Sequence, residues 1–256
     1  MTVKLRRTRT VAASVRTLLF RSFLMFLSAI TIRPACASTL DDFTVAVEAA
    51  MADGRVASSY LRTGNLDLAG VEIDRMRKAW AAVVDKFVKD RPNAFKDANQ
   101  FNVTMTNVSA AIVGASVMLS SNHPDQARAS LEKVRANLST LRRGAGINVL
   151  PDCILDANRI MTKLLAYDKL DVDVNDMTVR DDIQKQADAY ATLMKTCDGL
   201  ASSKIHDDPQ FRRLIDGADA SLKNSKRALD ERDAGLLHRV FDELRAIDNL
   251  LAFSVG

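Results

Sequence analysis

The sequence predicts an all-α protein, a duplicated up-down four-helix bundle with about eight helices and no sheet. Three observations carry this expectation. From residue 40 onward, apolar residues recur in alternating steps of three and four, the spacing that lines one face of a helix. No stretch sustains the alternation of β-branched and polar residues that a half-buried strand requires. An ungapped shift of 110 residues lays the second half on the first with its apolar stripes in phase. Composition agrees. The chain has 256 residues, 47% of them hydrophobic and 5% aromatic, with 10 Gly and 5 Pro. That is enough apolar material for a core. It is too few turn formers for a many-stranded all-β fold or a Gly-rich nucleotide fold.

Residues 1–37 read as an export signal that is cleaved. A basic start (Lys4, Arg6, Arg7, Arg9, Arg16) leads into an apolar run from Phe23 to Ile32, then Ala35-Cys36-Ala37, a small-x-small site before Ser38. Arg21 and Arg33 bracket the run, which is short for a bilayer, so no stable membrane span is expected after cleavage. Arg6-Arg7 lacks the apolar residues that follow a twin-arginine pair, and Arg33-Pro34-Ala35 does not suit lipidation of Cys36. The leader takes seven basic residues and no acid with it. The mature chain keeps 29 Lys and Arg against 32 Asp and Glu, a net charge of −3. The isoelectric point near 9.0 therefore belongs to the precursor. With no basic cluster left, nucleic acid is not an expected partner. Export also fixes the redox setting: Cys153 and Cys197 remain as an even pair where thiols are oxidised.

The first unit, 38–146, is expected to hold helices at about 40–57, 65–90, 97–121 and 124–143. Thr39 with Asp42 forms a capping-box pattern for the first. Leu66, Ala69, Ile73, Met76, Trp80, Val83 and Phe87 line the second, and Phe101, Met105, Val108, Ile112, Ala115 and Leu119 the third. Pro124 opens the fourth, lined by Leu131, Val134, Leu138 and Leu141, and Gly144 and Gly146 stop it. The second unit, 151–256, is expected to hold helices at about 152–167, 179–205, 209–229 and 232–253. Thr178 with Asp181 suggests the cap of its second helix, and Pro209 opens its third. Cys153 and Cys197 lie on stripes of adjacent helices, at similar distances from the connection between them, so a disulfide across that seam is expected.

At the 110-residue offset Trp80 meets Tyr190, Phe101 meets Phe211, Ile73 meets Ile183 and Arg135-Ala136 meets Arg245-Ala246. Exported four-helix units of about this length, with an aromatic in mid-second-helix, resemble the cytochrome c′ type of bundle. That family attaches haem through Cys-x-x-Cys-His near the end of its last helix. The matching stretches here, Thr140 to Gly144 and Asn249 to Phe253, contain neither Cys nor His. The resemblance therefore implies architecture, not covalent haem.

Candidate chemistry is sparse. Asp171, Asp173 and Asn175 have the spacing that begins a calcium loop, but Asp176 stands where the sharp turn needs Gly, and an acidic connector explains the stretch as well. His123, His206 and His238 form no helical pair, and no Glu-x-x-His supports a di-iron site. There is no Gly-x-Ser-x-Gly elbow, phosphate loop or dinucleotide fingerprint. Tyr60 and Arg62, beside Gly64 in the first connection, could form a small binding surface. The expectation is an exported, non-catalytic helical-bundle protein of the cell envelope, periplasmic if bacterial. It would bind an envelope protein or a small ligand and use no cofactor, the alternative being a bundle that holds haem or a metal ion non-covalently.

Overall fold

The computed structural model describes residues 39–169 and 172–256, so the leader and Asp171 lie outside the described residues. α1 (Thr39–Thr63) runs past the expected end at 57 because Ala57 and Leu61 continue its buried stripe. Gly64, at φ +80°, turns the chain in the left-handed region that a Cβ disfavours. α2 (Leu66–Phe87) buries the stripe from Ala69 to Phe87. Asn65 occupies its N-cap position but makes no capping bond, its side-chain amide donating to Thr63 instead. α3 (Ala98–Ser120) is capped by Asp97, whose carboxylate accepts from the Gln100 N–H at 2.9 Å. α3 contains no Asp, Glu, Lys or Arg, and Val103, Val113 and Val117 on its outer side are about half exposed. α4 (Pro124–Gly144) starts with its proline in the first turn, and the positive φ falls on Gly146.

Short links between long helices reverse the chain, so successive helices pack on one another. α1 meets α2, α2 meets α3, α3 meets α4, and α4 returns to α1. The ring encloses one apolar cluster running from Phe43 to Leu141. At one end Phe43 touches Phe87, Phe95 and Phe101 with ring centroids 5.2 to 5.8 Å apart, a geometry that favours edge contacts.

The second half comprises α5 (Leu150–Leu164), a 3-10 turn at Tyr167–Lys169, α6 (Met177–Leu200), the short α7 (Ser203–His206), α8 (Pro209–Glu231) and α9 (Ala234–Ser254). α5, α6, α8 and α9 close a second ring around the cluster from Leu150 to Leu251. Two expectations change here. Asp176, not Thr178, caps α6, accepting from the Thr178 N–H at 2.8 Å. The expected helix 179–205 breaks at Ala201 and Ser202, which adopt extended backbone, and resumes as α7.

The helices keep the 110-residue register. Residues 124–144, shifted by 110, fall on 234–254, the bounds of α9. Residues 98–120, shifted likewise, fall on 208–230, one residue ahead of α8 at both ends. The departure is α5, which stops at Leu164, whereas α1 shifted would reach 173. The 3-10 turn there is tied down by Asp168, whose side chain is 7% exposed and bonds both His238, at 2.5 Å, and Arg245 of α9. Trp80 and Tyr190 are equivalent and buried, and each finds a polar partner. Trp80 donates to Ser109 at 3.0 Å, and Tyr190 donates to Asp248 at 3.3 Å.

Cys153 of α5 and Cys197 of α6 are bonded, with Cα atoms 5.4 Å apart. The bridge spans 44 residues of chain, so on the chain-entropy account it adds roughly 4 kcal/mol. Urea unfolding of the oxidised and the reduced chain should differ by about 2–4 kcal/mol. Equal midpoints would mean that the α5–α6 seam is held by packing alone.

Candidate binding cleft

The two rings meet along α4 with α5 and α1 with α9. The link Ala145 to Val149 is too short to separate them. Across it Arg142 and Asp152, only 8% and 3% exposed, form a two-point ion pair at 2.9 and 2.5 Å. Arg143 adds bonds to the Asp152 carbonyl at 3.1 Å and to the Asp156 carboxylate at 2.5 Å. Beside this seam lies a cleft of about 510 Å³, lined mainly by α1, α4, α5 and α9.

Polar faces that look merely solvated in each separate helix converge on this cleft. Its bases are Arg55 and Arg62 of α1, Arg128, Lys133 and Arg135 of α4, and Arg159 of α5. Its acids are Glu132 and Asp248. Arg55 and Arg135 serve as struts. Arg55 donates to the main-chain oxygen of Gly256 at 3.0 Å and pairs with Glu48, while Arg135 donates to Asn158 at 3.1 Å and pairs with Glu132. Arg62 and Lys133 have no carboxylate within 4.0 Å among the described residues. Arg128 and Arg159 reach only acids three residues before them, with half of each side chain exposed. Cationic charge is therefore in surplus. The apolar part of the lining includes Met51, Met76, Leu131, Leu155 and Ala252, with Phe253 at 44% exposure. Gly54 lies under the cleft. A Cβ there would come within 2.9 Å of Met76 Sδ, so the glycine lets α1 and α2 approach closely.

Asp248 sits on the α9 side. Burial pushes its carboxyl up to about 6, contacts with Asn158, Tyr190 and Arg135 offset part of that rise, and Glu132 adds to it. Burial also pushes the Tyr190 hydroxyl up, which keeps it a donor to Asp248.

The residues singled out from sequence are placed as follows. Tyr60 and Arg62 lie in the last turn of α1, not in a connecting loop. Tyr60 is half-buried against the first core, and Arg62 reaches across to Asn249 of α9 at 2.7 Å. The two do not form one surface, although Arg62 does belong to the cleft. Asp173 accepts from the Asn175 N–H at 2.9 Å in a local turn, Asp176 is spent on the α6 cap, and Asp171 lies outside the described residues. Among the described residues no three His, Cys, Asp or Glu side chains gather as a metal site. Sequence reasoning missed Arg55, Arg135 and Asp248, because nothing within one helix shows that their wet faces oppose those of another half. No family model matches the chain, and neither a curated protein nor a solved structure matches it.

The raised carboxyl of Asp248 fixes a sign. Between pH 4 and 6 the folded chain holds a proton that the unfolded chain has released, so this group's contribution to stability falls as pH rises through that window. Asp248→Asn removes the ionisation and keeps an acceptor for Tyr190. The variant should gain ~2 kcal/mol on the wild type between the low and high ends of the window. Urea unfolding of both proteins at several pH values checks this, and parallel curves would show that Asp248 titrates normally.

Proposed function

We propose that this chain is an exported, non-catalytic binding protein whose ligand is a small anion held in the cleft between its two halves. The observation that carries the reading is the convergence of six bases and two acids on one cavity of about 510 Å³. That volume lies in the range of small-molecule sites. With the leader removed the chain has a net charge of −3, so the cleft is a cationic focus on an acidic molecule, an arrangement that concentrates anions locally. Hydroxyl and amide groups of Ser58, Ser59, Thr162 and Asn249 border the same space and suit an oxygen-rich group. The basic, apolar and small-x-small order of residues 1–37 supports export, and the Cys153–Cys197 bridge suits an oxidising compartment.

Export is tested by sequencing the N-terminus of protein recovered from the secreting cell. It should begin at Ser38, and a chain that still carries Arg6 and Arg7 would remove the export part of the reading. Binding is tested by thermal unfolding of the purified chain with small carboxylates, phosphates and sulfonates, each set beside an amine of similar size. A ligand at 100 times its Kd should stabilise by about 2.7 kcal/mol. Anions should stabilise where amines do not, and Arg62→Ala combined with Arg159→Ala should weaken the effect about tenfold in concentration. Stabilisation that ignores the sign of the ligand, or that survives the double substitution, would show that the cleft is not an anion site.

A further inference from the structure

We infer that the anion held in the cleft is amphipathic: an organic acid whose charged group meets Arg62, Arg128 and Arg159 and whose apolar body lies against Phe253 and Ala252. The inference rests on the anion reading above and adds the chemical class of the ligand.

The cleft is built asymmetrically. Its cationic groups with spare capacity stand on α1, α4 and α5, at the rim, where Arg128 and Arg159 keep half of their side chains in water. A site for a bare inorganic anion would surround it with donors on all sides. Here the α9 wall brings no cation: beside Asp248 and Asn249 it offers Ala252 and a phenyl ring, at Phe253, that is 44% exposed. A half-exposed ring beside the cationic rim gives an apolar body a flat surface to cover. Met51, Met76, Leu131 and Leu155 lie behind the polar lining and make the floor apolar. Methionine thioethers adapt to bodies of different shape. The space also exceeds what phosphate or sulfate fills, and it is too small for a two-chain lipid. It suits a single apolar body, alkyl or aromatic, carrying one acidic group.

The test uses three probes on the full purified chain, with fluorescence and calorimetry as readouts. 8-Anilinonaphthalene-1-sulfonate has an apolar body and a charge. N-phenyl-1-naphthylamine keeps the body without the charge, and methanesulfonate keeps the charge without the body. The charged naphthalene should bind at one site, at least about tenfold tighter than either partial probe, a difference of about 1.4 kcal/mol. Phe253→Ala and Arg62→Ala should each weaken it several-fold, and decanoate or 1-naphthoate should displace it. Methanesulfonate binding as tightly as the charged naphthalene would overturn the amphipathic inference and leave the anion reading standing. Equal binding of the uncharged probe would overturn both. Fluorescence that survives both substitutions and is not displaced by either acid would place the probe elsewhere, for instance on the outer face of α3, and would overturn the inference.

Discussion

The pairing of Arg142 with Asp152 is the constraint on which the geometry of the cleft depends. It joins the last turn of α4 to the first turn of α5, the point where the chain passes from one ring to the other. Taking both charges out of water is expensive, and two hydrogen bonds of good geometry offset that cost without necessarily exceeding it. What such a pair supplies is direction. A two-point bond holds the guanidinium and carboxylate in one plane, so α5 can leave α4 at only a narrow range of angles. Apolar contact alone would allow sliding and rotation. Once this end is fixed, Arg135 with Asn158, Arg62 with Asn249 and Arg55 with the main-chain oxygen of Gly256 become reachable as struts along the opening seam. Two of these struts, from Arg135 and Arg62, use neutral side-chain amides across the seam. They hold the distance between the halves without cancelling the positive charge of the cleft.

The two rings solve the same packing problem with different means. The first closes one end with four phenylalanines, and the second has a disulfide and the Asp168 cluster with His238 and Arg245. Burial alone would raise the Asp168 carboxyl. Bonds from His238 and Arg245 more than reverse that, and the group is held below the ordinary carboxylate range. Asp248 shows the opposite balance, since its partners do not outweigh its burial. Two carboxylates, both in contact with α9 side chains or part of that helix, are thus pushed apart by the number of cations each can reach. The equivalent positions Trp80 and Tyr190 show the same divergence on a smaller scale. An indole satisfied by a serine hydroxyl needs no charge, while a phenol satisfied by Asp248 brings a carboxyl into the seam.

Much of the fold was legible because its information is periodic. The stripes Ala69 to Phe87 and Phe101 to Ala115 are buried as their spacing implied, and Pro124 and Pro209 open helices. The errors fall where short-range chemistry competes. Thr178 and Asp176 both offer a cap to α6, and the acid nearer the start wins. The break at Ala201 follows no proline, so hydrophobic spacing ran straight across it. Gly64 marks a turn, but burial of Leu61 keeps Tyr60 to Thr63 helical up to it. The cleft was not legible at all. Its charges come from four helices in two rings, and each of those helices alone shows only an ordinary wet face. Which wet faces confront one another depends on the angle between the rings, and that angle is a long-range property with no local signature.

Gly54 separates two properties that are usually entangled in a binding pocket. It carries no charge and no side chain, yet it sets how closely α1 can approach α2 and therefore where the Met76 thioether lies beneath the floor. Depth is governed from below, by backbone spacing inside the first ring, while polarity is governed from above, by arginines that project from the rim. A lineage carrying this scaffold could retune the size it accepts and the charge it prefers by independent substitutions, neither passing through an intermediate that has lost the other.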